Sequence, residues 1–150
     1  MLAWLAVVLC IAAIFLFSTD SFSSDGTSGF LRPLIRWLWP DLDWRTAHAI
    51  NLWVRKTAHF AEYALLALLA CRAIWISFET SLGRLAALAL ALVLVTATAD
   101  ETHQAFTLTR AGSPWDVALD LCGGLAAILV FLAVRRLPGN TSQAAPPQGG

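Results

Sequence analysis

Two long apolar runs of the chain are separated by the sequence DETHQAFTLTRAGSPWD, residues 100–116. The run before it covers residues 82–99, and the run after it extends to Val134. Each is close to the roughly 20 residues that a helix needs to cross about 30 Å of hydrocarbon. The stretch between them holds acids, a histidine, an amide and an arginine. It predicts a polar site where one membrane-spanning helix ends and the next begins.

The composition of the whole chain is that of a membrane protein. Of its 150 residues, 58% are hydrophobic and only 13% are charged, with a mean hydropathy of +0.67. A soluble domain has about 25% charged residues. Ten basic residues balance ten acidic ones, so no basic field indicates nucleic-acid binding. The three cysteines are isolated in apolar runs, without the paired spacing of a zinc or redox site, and we interpret them as small core residues.

The periodicity predicts an all-α, polytopic membrane protein with four transmembrane helices and one interfacial amphipathic helix. The predicted spans cover about residues 2–19, 58–77, 82–101 and 116–134. They form a single domain of residues 1–136, followed by a disordered tail, residues 137–150, that is rich in proline, glycine and glutamine.

The first two spans and the amphipathic helix between them are predicted from different features. No basic residue follows Met1, and no small-x-small cleavage site precedes Ser18, so we predict an uncleaved span and not a signal peptide. Residues 30–39 repeat leucine and isoleucine at helical spacing beside tryptophans, which is typical of a helix lying on the membrane surface. From Trp44 to Ser77 no proline or glycine interrupts one long helix, whose membrane-crossing part must reach back to about residue 58.

Arginines around the second connection and after the last span favour a cytoplasmic location for both termini. These are Arg72, Arg84, Arg135 and Arg136. Other cations lie on the opposite side, and we expect several of them to belong to the polar site. They are Arg32, Arg36, Arg45, Arg55, Lys56 and Arg110.

This topology places polar residues from three spans at one membrane face. Charged groups within a span cost several kcal/mol unless they are paired or hydrated, so they often mark function. The acid/base candidates are His59, Asp100 and Glu101. The candidate binding residues are Lys56, Glu62, Tyr63, His103, Gln104, Arg110, Asp116 and Asp120. His48 and Asn51 are expected to be solvated or at headgroup level.

Four interpretations of this cluster stay open. A carboxylate beside an imidazole is suited to general acid/base chemistry, with Lys56 or Arg110 holding an anionic group. His59-x-x-Glu62 and Asp100-x-x-His103 have a helical spacing that binds metals in some bundles. A chain of such groups also relays protons in transporters. Alternatively, the charges only pair with one another and fix the helix packing. We predict no metal or cofactor and leave catalysis and oligomeric state open.

Four sequence segments together resemble the VanZ-like family of bacterial membrane proteins. They are KTAHFAEY at 56–63, DETHQAF at 100–106, Arg110, and Asp116-Val117 with Gly123-Gly124 following. The resemblance covers roughly residues 55–132. Two features depart from it: Asp120 stands where the family usually has asparagine, and Thr107-Leu108-Thr109 lacks the Pro-Gly that often precedes the arginine.

The resemblance implies a small integral protein of the bacterial inner membrane. The residues that match the family's motif positions are Lys56, His59, Tyr63, Asp100, Glu101, Gln104, Arg110 and Asp116. The founding member is associated with resistance to the glycopeptide teicoplanin, and the family has no settled biochemical activity. We therefore expect the lipid bilayer as a partner. We also expect a polar pocket, at the extracytoplasmic end of the bundle, that binds or modifies a lipid-linked envelope precursor or a lipophilic glycopeptide.

Overall fold

A computed structural model describes residues 1–19, 33–35, 37–106 and 113–137 of the chain. Within these residues the chain forms four long helices and no strand. They are α1 (Leu2–Phe17), α2 (Trp44–Ser77), α3 (Leu82–Ala105) and α4 (Pro114–Arg136). The predicted all-α class is therefore confirmed.

The helix starts follow from local capping. Asp43 accepts hydrogen bonds from the backbone N–H of Thr46 at 3.0 Å and from its hydroxyl at 2.7 Å. The Thr46 hydroxyl, followed by the backbone N–H, lowers the pKa of Asp43. Ser81 caps α3 in the same way through the N–H of Arg84. Pro114 begins α4, where its missing N–H leaves no helical hydrogen bond unmade.

Three of the helices are long and apolar enough to cross a membrane, namely α2, α3 and α4. The 16 residues of α1 extend over about 24 Å, less than the roughly 30 Å of a hydrocarbon core. Four spans therefore remain a prediction. Of the predicted amphipathic helix, residues 33–35 and 37–38 are helical and Trp39 is not, while residues 30–32 and 36 lie outside the described residues, as do residues 138–150 of the predicted tail.

Helix α2 lies at the centre of the bundle and contacts the other three helices. It runs antiparallel to α1, because the indole N–H of Trp4 donates to the Ser77 hydroxyl at 2.9 Å near the start of one helix and the end of the other. The buried core between the helices is formed largely by α2 and α3. Its members include Tyr63, Leu66, Ala67, Ala70, Leu85, Ala89 and Val93.

Two glycines bring α4 close to its neighbours. A Cβ at Gly123 would overlap the backbone carbonyl of Phe60 on α2. A Cβ at Gly124 would lie 2.8 Å from a methyl carbon of Val93 on α3. The small residues on this face of α4 therefore permit the predicted close approach between helices.

The three cysteines differ in their degree of burial. Cys71 lies in the core as predicted, and Cys10 is half-buried. The interpretation of Cys122 as a core residue is wrong, because it is exposed on the outer face of α4. Many large apolar side chains are exposed on the same outer surface, among them Val95, Leu129 and Val130. An apolar outer surface is what a bilayer, and not water, accommodates.

Candidate functional site

Gln104 is the centre of a buried polar network that joins three helices. Its side chain is 1% exposed. The amide nitrogen donates to the Ser18 hydroxyl at 2.8 Å and to Asp100 Oδ2 at 2.9 Å. The amide oxygen accepts from the Arg55 guanidinium at 3.3 Å. The ends of α1 and α3 are thereby attached to the middle of α2.

A second polar group lies between α2 and α4. Lys56 forms an ion pair with Asp116. One turn deeper, His59 Nδ1 lies 3.8 Å from Asp120 Oδ1, which is beyond hydrogen-bond distance. Lys56 and His59 are three residues apart and Asp116 and Asp120 four apart, so each pair occupies one face of its helix.

These two pairs border a cavity of about 80 Å³. A water molecule takes about 30 Å³ of liquid volume, so the cavity has room for a few water-sized groups. Its lining combines charged groups with two leucines. The lining residues are Leu52, Arg55, Lys56, His59, Asp116, Leu119 and Asp120.

Several buried oxygen atoms in the lining of this cavity or behind it accept no hydrogen bond from the described residues. They are the Tyr63 hydroxyl, Asp100 Oδ1, Glu101 Oε1 and both carboxylate oxygens of Asp120. The other Glu101 oxygen accepts from the backbone N–H of Ser113 at 2.8 Å. A buried acceptor left without a partner costs about 1–3 kcal/mol, so such a concentration of acceptors is expected to serve a purpose.

Comparison with family models assigns the chain to a family. The family model for VanZ/LLP1 matches residues 3–135, which include all four helices nearly in full. The chain belongs to the VanZ/LLP1 family. Comparisons with curated proteins and with solved structures find no significant match.

In this VanZ/LLP1 chain, most of the site residues predicted from sequence lie at one end of the bundle. Lys56, His59, Asp116 and Asp120 border the cavity. Behind it lie Tyr63, Asp100, Glu101 and Gln104, all buried, and Glu62 is half-buried on α2. The predicted Arg110 lies outside the described residues.

His103 is the exception among the predicted residues. It is exposed, and its ring makes an edge-on contact with Phe15 of α1, with 6.2 Å between ring centroids. Asp100 is fully buried, so the two ends of Asp100-x-x-His103 lie in different surroundings. In the part of the chain that the structure describes, no group of three or more potential ligands is arranged to hold a metal ion.

Three residues of the polar end were not among the site residues predicted from the sequence. Arg55 lines the cavity and Ser18 accepts from Gln104. Asn51 is 6% exposed, so the expectation that it is solvated is wrong, whereas His48 is exposed and stacks on Trp44 as expected of a solvated or headgroup-level residue. A spacing of four residues from Asn51 to Arg55 to His59 already placed Asn51 and Arg55 on the face of His59. Nothing in the sequence pairs Ser18 with Gln104.

Proposed function

We propose that this VanZ-like membrane protein binds the polar headgroup of an amphiphile of the bacterial cell envelope in the cavity between α2 and α4. The observation that carries the proposal is the cavity itself. Ionic side chains line a space of about 80 Å³ between helices whose outer surfaces are apolar. A headgroup with its hydrocarbon tail in the surrounding bilayer combines both properties.

The exposed tryptophans support a position of this cavity below the membrane surface. Trp53 and Trp115 are 71% and 82% exposed, and tryptophan favours the headgroup region of a bilayer. His59 is six residues beyond Trp53, which corresponds to a depth of about 9 Å along the helix. Asp120 is five residues beyond Trp115, or about 7.5 Å. The cavity then lies where headgroups meet acyl chains, so that a ligand enters sideways from the bilayer.

The same arrangement supports an orientation in the bacterial inner membrane. Arginines concentrate at the end of the bundle opposite the cavity, where Glu79 is the acidic residue among those described. They are Arg72, Arg84, Arg135 and Arg136. Basic residues favour the cytoplasmic side. With α1 as a fourth span, both termini are cytoplasmic and the cavity faces the outer leaflet.

The chemistry available at the cavity extends to modification of the bound headgroup. His59 and Asp120 form an imidazole–carboxylate pair at 3.8 Å, which suits proton transfer once a ligand draws the groups together. Asp100 and Glu101 are the further acid/base candidates. Lipid-linked envelope precursors and lipophilic glycopeptides are the amphiphiles that the founding member's association with teicoplanin resistance favours.

The test is a teicoplanin-susceptibility assay in a bacterial host that expresses the full chain. His59→Ala, Asp100→Ala and Arg110→Ala are expected to abolish any protection that the wild type confers. His48→Ala is the matched control, because His48 is exposed and lies outside the cavity. If all three variants protect as well as the wild type at equal membrane abundance, the binding proposal fails.

A structural role for the polar cluster is the second candidate. It is favoured by the Lys56–Asp116 ion pair and by the three hydrogen bonds of Gln104, since these hold the helices in register. A purely structural cluster predicts that His59→Ala lowers the melting temperature in detergent and that any loss of protection follows the loss of folded protein. A binding site predicts lost protection at unchanged abundance.

A further inference from the structure

We infer that the headgroup bound in the cavity carries a primary ammonium group, which the carboxylate of Asp120 receives. This inference rests on the proposed function and names the ligand class of the same site.

The cavity and the residues behind it hold more hydrogen-bond acceptors than the described residues satisfy. Asp120 lines the cavity and is 0% exposed, and neither of its carboxylate oxygens accepts a hydrogen bond from the described residues. One oxygen each of Asp100 and Glu101, at the same end of the bundle, is likewise without a hydrogen bond from the described residues, as is the Tyr63 hydroxyl, which can donate as well as accept. A ligand that satisfies the carboxylate oxygens must donate hydrogen bonds.

The two cations that line the cavity already have acceptors among the described residues. The Lys56 ammonium is paired with Asp116, and the Arg55 guanidinium donates to Gln104. The His59 imidazole also lines the cavity, with Nδ1 3.8 Å from Asp120 Oδ1, beyond hydrogen-bond distance. Against the two cations and this imidazole stand four carboxylates at the cavity or directly behind it, namely Asp100, Glu101, Asp116 and Asp120. The charge that complements this arrangement is positive. An isolated buried carboxylate is costly unless such a charge pairs with it.

The size of the cavity and the number of its acceptors suit a primary ammonium. A primary ammonium has three N–H donors and is about as large as a water molecule, so an aminoalkyl group fits a cavity of about 80 Å³. A quaternary ammonium is larger and has no N–H to donate. The cavity is therefore expected to distinguish the two.

The mouth of the cavity accommodates the rest of such a headgroup. The Lys56 side chain is 46% exposed there, and its ammonium has donors beyond the one that Asp116 accepts. A phosphate one or two carbons from the amine would lie against Lys56. Aminoalkyl phosphate headgroups thus match both ends of the site.

The experiment is lipid binding by the full-length protein, measured by native mass spectrometry after purification in a neutral detergent. The probes are phosphatidylethanolamine, phosphatidylcholine and phosphatidylglycerol with identical acyl chains. We expect the ethanolamine lipid to be retained about tenfold over the other two, which corresponds to about 1.4 kcal/mol, because the choline headgroup has no N–H to donate and the glycerol headgroup carries no cation. Asp120→Asn, which keeps the size of the side chain, is expected to remove the preference. Glu79→Gln at the opposite end of the bundle is the control that retains it.

A second variant tests the inference independently, in case Asp120→Asn fails to fold. Leu119→Phe fills the cavity and leaves every charge in place, and it is expected to reduce retention of the ethanolamine lipid to the level of the other lipids. A preference for phosphatidylglycerol that Leu119→Phe abolishes would overturn the ammonium assignment and leave the proposed function standing. Equal retention of all three lipids, unchanged in Asp120→Asn and Leu119→Phe, would overturn both.

One further outcome concerns Arg110. If the wild type bound no ethanolamine lipid but Arg110→Gln did, the guanidinium of this chain would be the group that the carboxylates receive, and the inference would be wrong.

Discussion

Gln104 donates a hydrogen bond to Ser18 at 2.8 Å, although 86 residues separate them in the sequence. Both side chains are almost fully buried, at 1% exposure each. Because Gln104 also bonds Asp100 and Arg55, one amide joins the end of α1 to α2 and α3. The first helix is therefore positioned by the polar end of the bundle as well as by its apolar face.

Replacing Gln104 by leucine should destabilise the protein by about 3 kcal/mol, because three groups lose their partner in a buried environment. Ser18→Ala removes one of those contacts and should cost about 1 kcal/mol. Unfolding in mild detergent measures both. Equal losses for the two variants would show that the contact with Ser18, and not the whole network, carries the effect.

The two glycines of α4 should respond differently to alanine. At Gly123 the new methyl group overlaps the rigid backbone of Phe60, so overpacking is expected to cost about 1–3 kcal/mol. At Gly124 it meets the side chain of Val93, which has room to adjust, and the gain of about 1 kcal/mol in helix propensity offsets much of the strain.

Gly83→Ala is the reference for these two variants, since no atom lies within 4 Å of the added carbon. Melting temperatures should follow the order Gly83→Ala, Gly124→Ala, Gly123→Ala from highest to lowest. A Gly123→Ala protein as stable as the wild type contradicts the close packing of α2 against α4.

Helical periodicity foretold much of this arrangement, because phase and hydropathy are local properties. It placed Lys56, His59 and Tyr63 on one side of α2 and gathered Asp100 and Asp116 at the same end of the bundle. It did not separate His103 from Asp100, since a 60° difference in phase decides burial only once the neighbouring helix is known. Nor did it indicate that Asn51 is buried. The sequence around that turn of α2 is less apolar, although the turn is still packed against its neighbours.

The Lys56–Asp116 pair should contribute little to stability. Both side chains are partly exposed, at 46% and 29%, and such pairs contribute about 0.2–1 kcal/mol. Lys56→Gln and Asp116→Asn are expected to lower the melting temperature slightly, and the double variant should be no worse than the sum of the two. A double-mutant cycle with a coupling well above 1 kcal/mol would indicate that the pair is shielded from solvent.

Arg135 should stabilise the opposite end of the bundle through its aromatic neighbours. Its guanidinium carbon lies 4.5 Å from the centre of the Trp75 ring and 5.2 Å from that of Phe131. Arg135→Ala should cost about 1 kcal/mol, and Arg135→Lys should recover part of it. Arg136→Ala is the control at an exposed neighbouring position. Identical melting temperatures for the two alanine variants would argue against the stacking contribution.

The start of α2 should depend on pH through Asp43. Since hydrogen bonds from Thr46 lower the pKa of Asp43 in the folded protein, its contribution is fully present above the ordinary aspartate range and is lost as the pH falls through the lowered value. The protection factors of the first-turn amides of α2, which compare the measured with the intrinsic exchange rate at each pH, should therefore fall in acid. Asp43→Asn keeps the cap but should lose this pH dependence, whereas Asp43→Ala should exchange faster at every pH. Asp41→Asn should behave as the wild type.

The close approach of Gly123 to the Phe60 carbonyl lies one turn beyond Asp120 and next to His59 in the sequence. Two main chains meet there, so the separation of α2 and α4 is set by atoms that no side-chain rotation moves. The lining side chains Leu52, Leu119 and Asp120 can then be substituted without changing that separation. On the proposed function, a library confined to those three positions would change which headgroup the cavity prefers, with the spacing of the helices held constant.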